Sequence, residues 1–185
     1  FYLASRAHAA LPAAEIEAWI AAEAATLAAR LRAAARAGLQ HVLLLSSVKV
    51  LGERTDAAAF TAGSVPAPVD AYGRAKWAME QEVLGSGLAF TILRPSFVFG
   101  RGGALATFMK QVRYSPVVTV IGDGAQHIQP IWVDDVAEHV ARSLELPRAA
   151  NRTFELGGRD VVTWDELYRR IAATLGKRRV LVHVP

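Results

Sequence analysis

Hydrophobic residues along the chain fall into two rhythms. Short unbroken apolar runs alternate with longer stretches in which alanine and leucine recur among charges. The run His41–Leu45 lies between Gly38 and the pair Ser46-Ser47, the pattern of a strand buried on both faces of a parallel sheet. Residues 1–4, 89–93, 153–156 and 180–184 predict further strands of this kind. The intervening stretches predict helices. Residues 13–37 carry Glu15, Glu17 and Glu23 early and Arg30, Arg32 and Arg36 late, an order that complements the helix dipole, and Gly38 supplies the stop. Trp19 and Ile20 are expected to pack on the sheet or on a second subunit. Helices are also predicted over 71–84, 104–114 and 133–146. Asp134 and Asp135 open the last of these, where two carboxylates serve the positive end of the dipole better than they make a metal or acid/base pair. A final helix runs to about residue 175 from Thr163-Trp164-Asp165-Glu166, a capping box whose hydroxyl and carboxylate each satisfy a backbone N–H. Strands alternating with helices predict an α/β fold around a parallel sheet.

Ser46 and Ser47 stand at the carboxyl edge of the 41–45 strand, the edge where open α/β sheets bind ligands. A loop over 50–70, broken by Gly63, Pro66 and Pro68, leads from there to Tyr72. Long ordered loops of this kind are frequently functional. Lys76 follows four residues later, on the same face of the helix. A phenol with a pKa near 10 exchanges protons poorly at neutral pH unless a fixed positive charge favours its phenolate. Lys76 is the candidate for that charge, and Ser47 for a hydrogen bond to a substrate hydroxyl or carbonyl. Together the three make an acid/base unit for moving a proton on or off an oxygen. The plainer account of the pair alone is a solvated lysine beside a half-buried aromatic ring.

The residues around them narrow the choice. The stretches Ser46-Ser47-Val48-Lys49-Val50-Leu51-Gly52, Pro68-Val69-Asp70-Ala71-Tyr72-Gly73-Arg74-Ala75-Lys76 and Ile92-Leu93-Arg94-Pro95-Ser96-Phe97-Val98-Phe99-Gly100 form a series. It resembles the extended short-chain dehydrogenase/reductases, the NAD-dependent epimerase/dehydratase family, along nearly the whole chain. The resemblance implies a Rossmann-like doubly wound parallel sheet with part of a small C-terminal substrate lobe. It implies NAD or NADP as cofactor, a small-molecule substrate, and Ser47, Tyr72 and Lys76 as catalytic residues. Tyr72 exchanges a proton with the substrate oxygen while hydride passes between the same carbon and the nicotinamide ring. Lys76 lowers the tyrosine pKa and holds the ribose, and Ser47 orients the oxygen. Bringing a phenol from 10 to neutrality takes about 4 kcal/mol of preference for the phenolate. The cofactor is expected against Leu3, Ala4, Ser5, Ser46, Tyr72, Lys76, Pro95, Ser96 and Val98, and the substrate against Ser47, Lys49, Phe97 and His127. Two subunits are expected to pair through the 13–37 and 71–84 helices.

The sequence also departs from the family. No glycine-rich phosphate loop opens a strand-helix unit; Gly100-Arg101-Gly102-Gly103 and Gly122-Asp123-Gly124 are loop turns by their context. Residues 1–4 resemble the family's fourth strand. Three strands and the phosphate loop are therefore expected upstream, the sequence is expected to be a fragment, with a cut at its far end left open, and the residue choosing NAD over NADP falls outside it. Relatives often carry an asparagine in the first helix, yet the one asparagine is Asn151. Phe97 stands where nucleotide-sugar members have asparagine, which counts against a sugar nucleotide; Ile128 stands where they have arginine, with His127 beside it as the candidate replacement. The expected organisation is a Rossmann half over 1–113 and a partial lobe over 114–185, with 128–157 returning to the sheet. From Gln129 onward, with Phe154-Glu155-Leu156-Gly157-Gly158 and the basic turn 176–179, the chain looks most like the atypical branch related to the NAD(P)H-binding accessory subunit of respiratory complex I. Two functions stay open. One is an epimerase/dehydratase or oxidoreductase acting on a hydroxyl or carbonyl carbon, inactive in this portion alone. The other is a non-catalytic NAD(P)H-binding assembly protein. The presence of Ser47, Tyr72 and Lys76 favours the first.

Composition acts mainly by exclusion. With 52% apolar residues, 185 residues can bury a sizeable core. The absence of cysteine excludes disulfides and thiolate metal sites, and suits a reducing cytoplasm. No metal site is expected, and no charge-free run reaches the length of about 20 residues that spans a bilayer. A net charge of +4 and a pI of about 9.8 raise nucleic acid as a partner. Arg30, Arg32, Arg36, Arg142, Arg148, Arg169 and Arg170 are dispersed on helical stretches without interleaved aromatics, and Lys177-Arg178-Arg179 is a short solvated turn; no nucleic acid is expected.

Overall fold

The computed structural model describes residues 12–55, 58–101 and 103–185. The strand expected at 1–4 and its candidate residues Leu3, Ala4 and Ser5 lie outside them. Pro12 precedes the first helix, α1 (Ala13–Arg36), and Gly38, at φ 81°, makes the left-handed turn beyond its end. Strand β1 (His41–Leu45) runs into a single 3₁₀ turn at Val48–Leu51, and a loop then reaches α2 (Ala71–Leu84) and β2 (Ala89–Pro95). A second series follows: β3 (Val98–Phe99), α3 (Gly103–Tyr114), β4 (Val117–Ile121), β5 (His127–Ile128), β6 (Ile131–Trp132) and α4 (Val133–Glu145). The chain closes with β7 (Arg152–Leu156), β8 (Val162–Thr163), α5 (Trp164–Thr174) and β9 (Val180–Val184).

These elements divide into two compact units. The first runs to Pro95 and takes up Glu138–Leu156 again. Its sheet has the order β1-β2-β7, all parallel, with Leu44 opposite Ile92 and Ile92 opposite Thr153. Parallel neighbours need crossovers, and α2 is the one between β1 and β2. Helices α1 and α2 pack on each other, and Leu27, Leu31, Met79 and Val83 meet Val42, Leu44 and Ile92 of the sheet. Leu44, Met79, Val83 and Ile92 are wholly buried, each contributing about 1.5–3 kcal/mol by leaving water. The one hydroxyl in the middle of β2, Thr91, is also wholly buried; it donates to the Ala149 carbonyl at 2.8 Å and lies 2.9 Å from His41 Nε2.

The second unit comprises Ser96–Ala137 and Gly157–Pro185. Here β4 and β9 pair in parallel, and alternation along β4 turns Val118 and Val120 into a core with Val112 of α3 and Tyr168 and Ile171 of α5. The capping box forms as expected, Glu166 N donating to Thr163 Oγ1 at 3.1 Å and Thr163 N to Glu166 Oε2 at 3.3 Å. Asp134 in the first turn of α4 accepts from Trp132 Nε1 at 3.0 Å. Several features differ from the sequence expectation. The strands β3, β4, β5, β6 and β8 were not foreseen, β2 continues two residues further to Pro95, and the first compact unit runs to Pro95 where the expected half ran to 113. No helix among the described residues is long and apolar enough to cross a membrane.

Replacing Leu44 by alanine leaves a cavity in the first core. The expected loss is about 2–5 kcal/mol of stability, read as a lowered urea midpoint; a loss below about 1 kcal/mol would contradict this account of the core.

Candidate functional site

The amino terminus of α2 is built by Asp70, whose Oδ1 accepts from Gly73 N at 2.6 Å. Asp70 also pairs with Lys49 at 3.1 Å, and Lys49 with Glu53 at 2.5 Å. Gly73 has a steric reason: a Cβ there would lie 2.5 Å from the Lys49 carbonyl oxygen. Only glycine lets the first turn of α2 lie this close to the 3₁₀ turn after β1. Ser47 caps that turn, its Oγ accepting from Lys49 N at 3.2 Å. The close approach brings Ser47 beside Tyr72, where its hydroxyl acts to lower the pKa of the phenol. One helical turn on, Lys76 is 6% exposed, donates to the Leu45 carbonyl at 3.2 Å and holds its Nζ 5.6 Å from the centre of the Tyr72 ring. Ser47, Tyr72 and Lys76 thus meet at the carboxyl end of β1.

The electrostatics correct one expectation. Lys76 was expected to lower the Tyr72 pKa. Instead the phenol is pushed above its ordinary value, by burial first and by the Asp70 carboxylate second, with the Ser47 hydroxyl acting the other way. The ammonium lies over the ring rather than against the hydroxyl, so burial prevails. Lys76 itself is pushed down by burial, opposed by the carboxylates of Glu23 and Glu80.

Glu80, one turn beyond Lys76 on the same face, was not anticipated. It is wholly buried; Ser46 Oγ donates to its Oε1, as does Arg94 Nε at 3.0 Å, while Arg94 Nη2 donates to its Oε2 at 2.6 Å. Arg94 Nη1 reaches Glu155 at 3.2 Å. Ser46, expected at the cofactor, therefore spends its hydroxyl on Glu80. The sequence held two signals for this network: a glutamate eight residues after Tyr72 on the site face, and an arginine ending an apolar strand. On α1, Trp19 Nε1 and Glu23 Oε2 are buried without hydrogen-bond partners.

Pro95 ends β2 within the first unit, whereas Ser96, Phe97, Val98 and His127 belong to the second. Ser96 Oγ donates to the Gln129 carbonyl. Phe97 stacks on Phe108 at 6.0 Å and meets Trp164 edge-on at 5.6 Å. Val98 and His127 are exposed, and His127 pairs with Thr163 in β5–β8.

Residues 4–184 match the family described as the RmlD substrate binding domain. Over 99 residues, 51% of the chain and 24% of the relative, it is 35% identical to the NADH dehydrogenase [ubiquinone] 1 alpha subcomplex subunit 9, mitochondrial, of Arabidopsis thaliana. Over 156 residues, 80% of the chain and 47% of the relative, it is 26% identical to the UDP-glucose 4-epimerase of Vibrio cholerae. The chain thus spans about half or less of these curated relatives' length. Among solved structures, the dTDP-glucose 4,6-dehydratase of Streptomyces venezuelae with NAD and TYD bound superposes with a TM-score of 0.82 at 21% identity, over 99% of this chain and 60% of that one. These matches bear out the resemblance seen in the motifs and the Rossmann-like α/β fold.

Two outcomes follow from the geometry. Arg94→Ala leaves Glu80 buried without its cation and is expected to cost about 3–5 kcal/mol in urea unfolding; a near-neutral result would remove the buried pair from the fold's supports. Tyr72 has a raised folded-state pKa, so its contribution to stability is complete below the unfolded value of about 10 and is lost as pH rises through the folded value. Phenolate absorbance should show a transition above the ordinary tyrosine range that Tyr72→Phe deletes, and a Tyr72 transition below that range would reverse the assignment.

Proposed function

The chain belongs to the family of the RmlD substrate binding domain, and from that premise we propose that it carries the proton-transfer half of an NAD(P)-dependent epimerase/dehydratase or oxidoreductase. The reaction would take place at a hydroxyl or carbonyl carbon of a small molecule, with a nucleotide sugar the first candidate. The observation that carries this reading is the convergence at the carboxyl end of β1, where Lys76 Nζ lies 5.6 Å from the centre of the Tyr72 ring and donates to the Leu45 carbonyl, with Ser47 capping the turn that follows.

The donor set suits a nicotinamide dinucleotide. Lys76 has three N–H donors and the Leu45 carbonyl takes one; the others, with the Tyr72 hydroxyl, match the adjacent hydroxyls of a ribose. Tyr72 and Lys76 would hold that ribose, with Pro95 at the neighbouring strand end. The nicotinamide, when bound, supplies the hydride donor or acceptor. Ser47 orients the substrate oxygen by hydrogen bond. Tyr72, kept neutral by burial, gives its proton to that oxygen as negative charge gathers there, and the Lys76 ammonium over the ring stabilises the phenolate left behind. Burial therefore favours the direction that protonates a carbonyl oxygen at neutral pH. In the opposite direction Tyr72 must first lose its proton, which at neutrality costs about 4 kcal/mol for a phenol of pKa 10 and more for one raised by burial.

The epimerase and dehydratase relatives support a sugar nucleotide. Phe97 gives its ring to Phe108 and Trp164 and offers no polar group, which supports a plain oxidoreductase alongside. A second reading, a non-catalytic NAD(P)H-binding assembly protein, is favoured by the 35% identity to the NADH dehydrogenase subunit.

Calorimetric titration with NAD and NADP, on this chain and on a longer one that supplies a glycine-rich loop ahead of it, separates the readings when paired with turnover. Cofactor binding by the longer chain with a fall of about 10²–10⁴-fold in kcat for Tyr72→Phe is expected. Binding without turnover in the unsubstituted protein would establish the assembly role instead.

A further inference from the structure

Two buried side-chain atoms among the described residues lack a hydrogen-bond partner, and one is a carboxylate oxygen, Glu23 Oε2. Glu23, Leu27 and Leu31 recur every four residues on one face of α1, and the two leucines of that face pack with Met79 and Val83 of α2. A carboxylate oxygen enclosed without a hydrogen bond is costly, and it stays ionised only where an opposite charge lies near. Among the described residues of α2 and the sheet, Tyr72 lies beside Lys76 and Glu80 acts on it, with Arg94 paired to Glu80. Arg94 already commits Nε and Nη2 to Glu80 and Nη1 to Glu155. The remaining cation is Lys76, 6% exposed, with a neutral carbonyl as its hydrogen-bond partner and no carboxylate within ion-pair distance among the described residues.

We propose that Glu23 is the counter-charge of Lys76, a positioning residue that keeps the buried ammonium protonated from across the α1–α2 interface. Glu17 of α1 pairs with Arg74 of α2 at 2.6 Å, and further along Leu27 and Leu31 pack with Met79 and Val83, so the register of the two helices sets Glu23 and Lys76 between these contacts; Glu23 and Glu80 both oppose the effect of burial on Lys76, and the charge of Glu80 is already matched by Arg94. The division of labour is then simple. Glu80 serves the architecture, and Glu23 serves the charge state of the lysine beside Tyr72. Position 23 becomes the place on α1 where the acid/base unit is tuned.

The inference rests on the reading that Lys76 serves proton transfer, but its test reads the lysine's charge and not turnover. The Lys76 side chain would be titrated by heteronuclear NMR in the 185-residue chain, its signal assigned by Lys76→Arg. Glu23→Gln keeps the shape and removes the charge; the titration should move to lower pH, and the uncharged fraction at a given pH should rise about tenfold. Glu23→Asp, which restores a carboxylate, should recover most of the shift. An unmoved Lys76 titration in folded Glu23→Gln overturns the proposal. Should that variant not fold, the unsubstituted chain decides. The Glu23 side-chain carboxyl resonance should step at the pH where Lys76 loses its proton, and a resonance with no step there overturns the proposal equally. A shifted lysine in a protein whose Tyr72→Phe variant keeps full turnover would instead sink the catalytic reading while leaving the counter-charge intact.

Discussion

A carboxylate with no access to water, Glu80, joins helix α2 to all three strands of the first unit's sheet. It accepts from Ser46 just past β1 and from Arg94 in β2, and through Arg94 it is tied to Glu155 in β7. An isolated charge at this depth would cost several kcal/mol. Here both carboxylate oxygens receive donors and the guanidinium approaches with two nitrogens, so the penalty is offset only when helix and strands keep this one arrangement. The placement of α2 therefore follows from electrostatics as much as from the apolar contacts of Met79 and Val83. Because Tyr72 and Lys76 ride on the same helix face, the buried ion pair also sets where these two side chains stand against the end of β1.

The same face shows a graded electrostatic environment. Glu80 is dry and fully compensated. Lys76 is nearly as dry, with burial working against its charge and two carboxylates working for it. Tyr72, at the edge, is held neutral by burial and by Asp70. A neutral acid next to a retained cation is a sensible resting arrangement for giving a proton to an oxygen. The cation is held against burial by its carboxylate neighbours while the phenol is neutral and gains attraction when the phenolate forms. Gly73 and Asp70 contribute by geometry, the first by allowing close approach and the second by fixing the helix start.

The second unit uses its candidate residues differently. Phe97 is a packing residue among Phe108, Trp164 and Tyr168, and Ser96 is engaged with the Gln129 carbonyl. Aromatic edges in this cluster contribute about 0.5–1.5 kcal/mol per pair beyond area burial. An asparagine at position 97 could not replace that packing, so the departure from the sugar-nucleotide pattern has a structural reason.

Local chemistry was written plainly in the chain. The dipole-matched charges and terminal glycine marked α1, the threonine-glutamate capping box marked α5, and the solid run 41–45 marked β1, because each depends on residues within one or two turns of one another. The Tyr72–Lys76 spacing and the serines at the strand end were equally legible, since helix periodicity and the carboxyl-edge rule need no tertiary knowledge. Strand β4 was missed because its partner, β9, lies some sixty residues downstream. Glu80, Arg94 and Glu155 could not be joined on sequence alone, for the same reason of separation. The direction of the Tyr72 pKa went the wrong way because a spacing of four places two side chains on one face but does not say how dry that face is, nor whether the ammonium meets the ring or the hydroxyl. Sequence by itself determined which groups were available and in what order; burial and orientation, which arise only when distant segments pack, decided which of them carry charge.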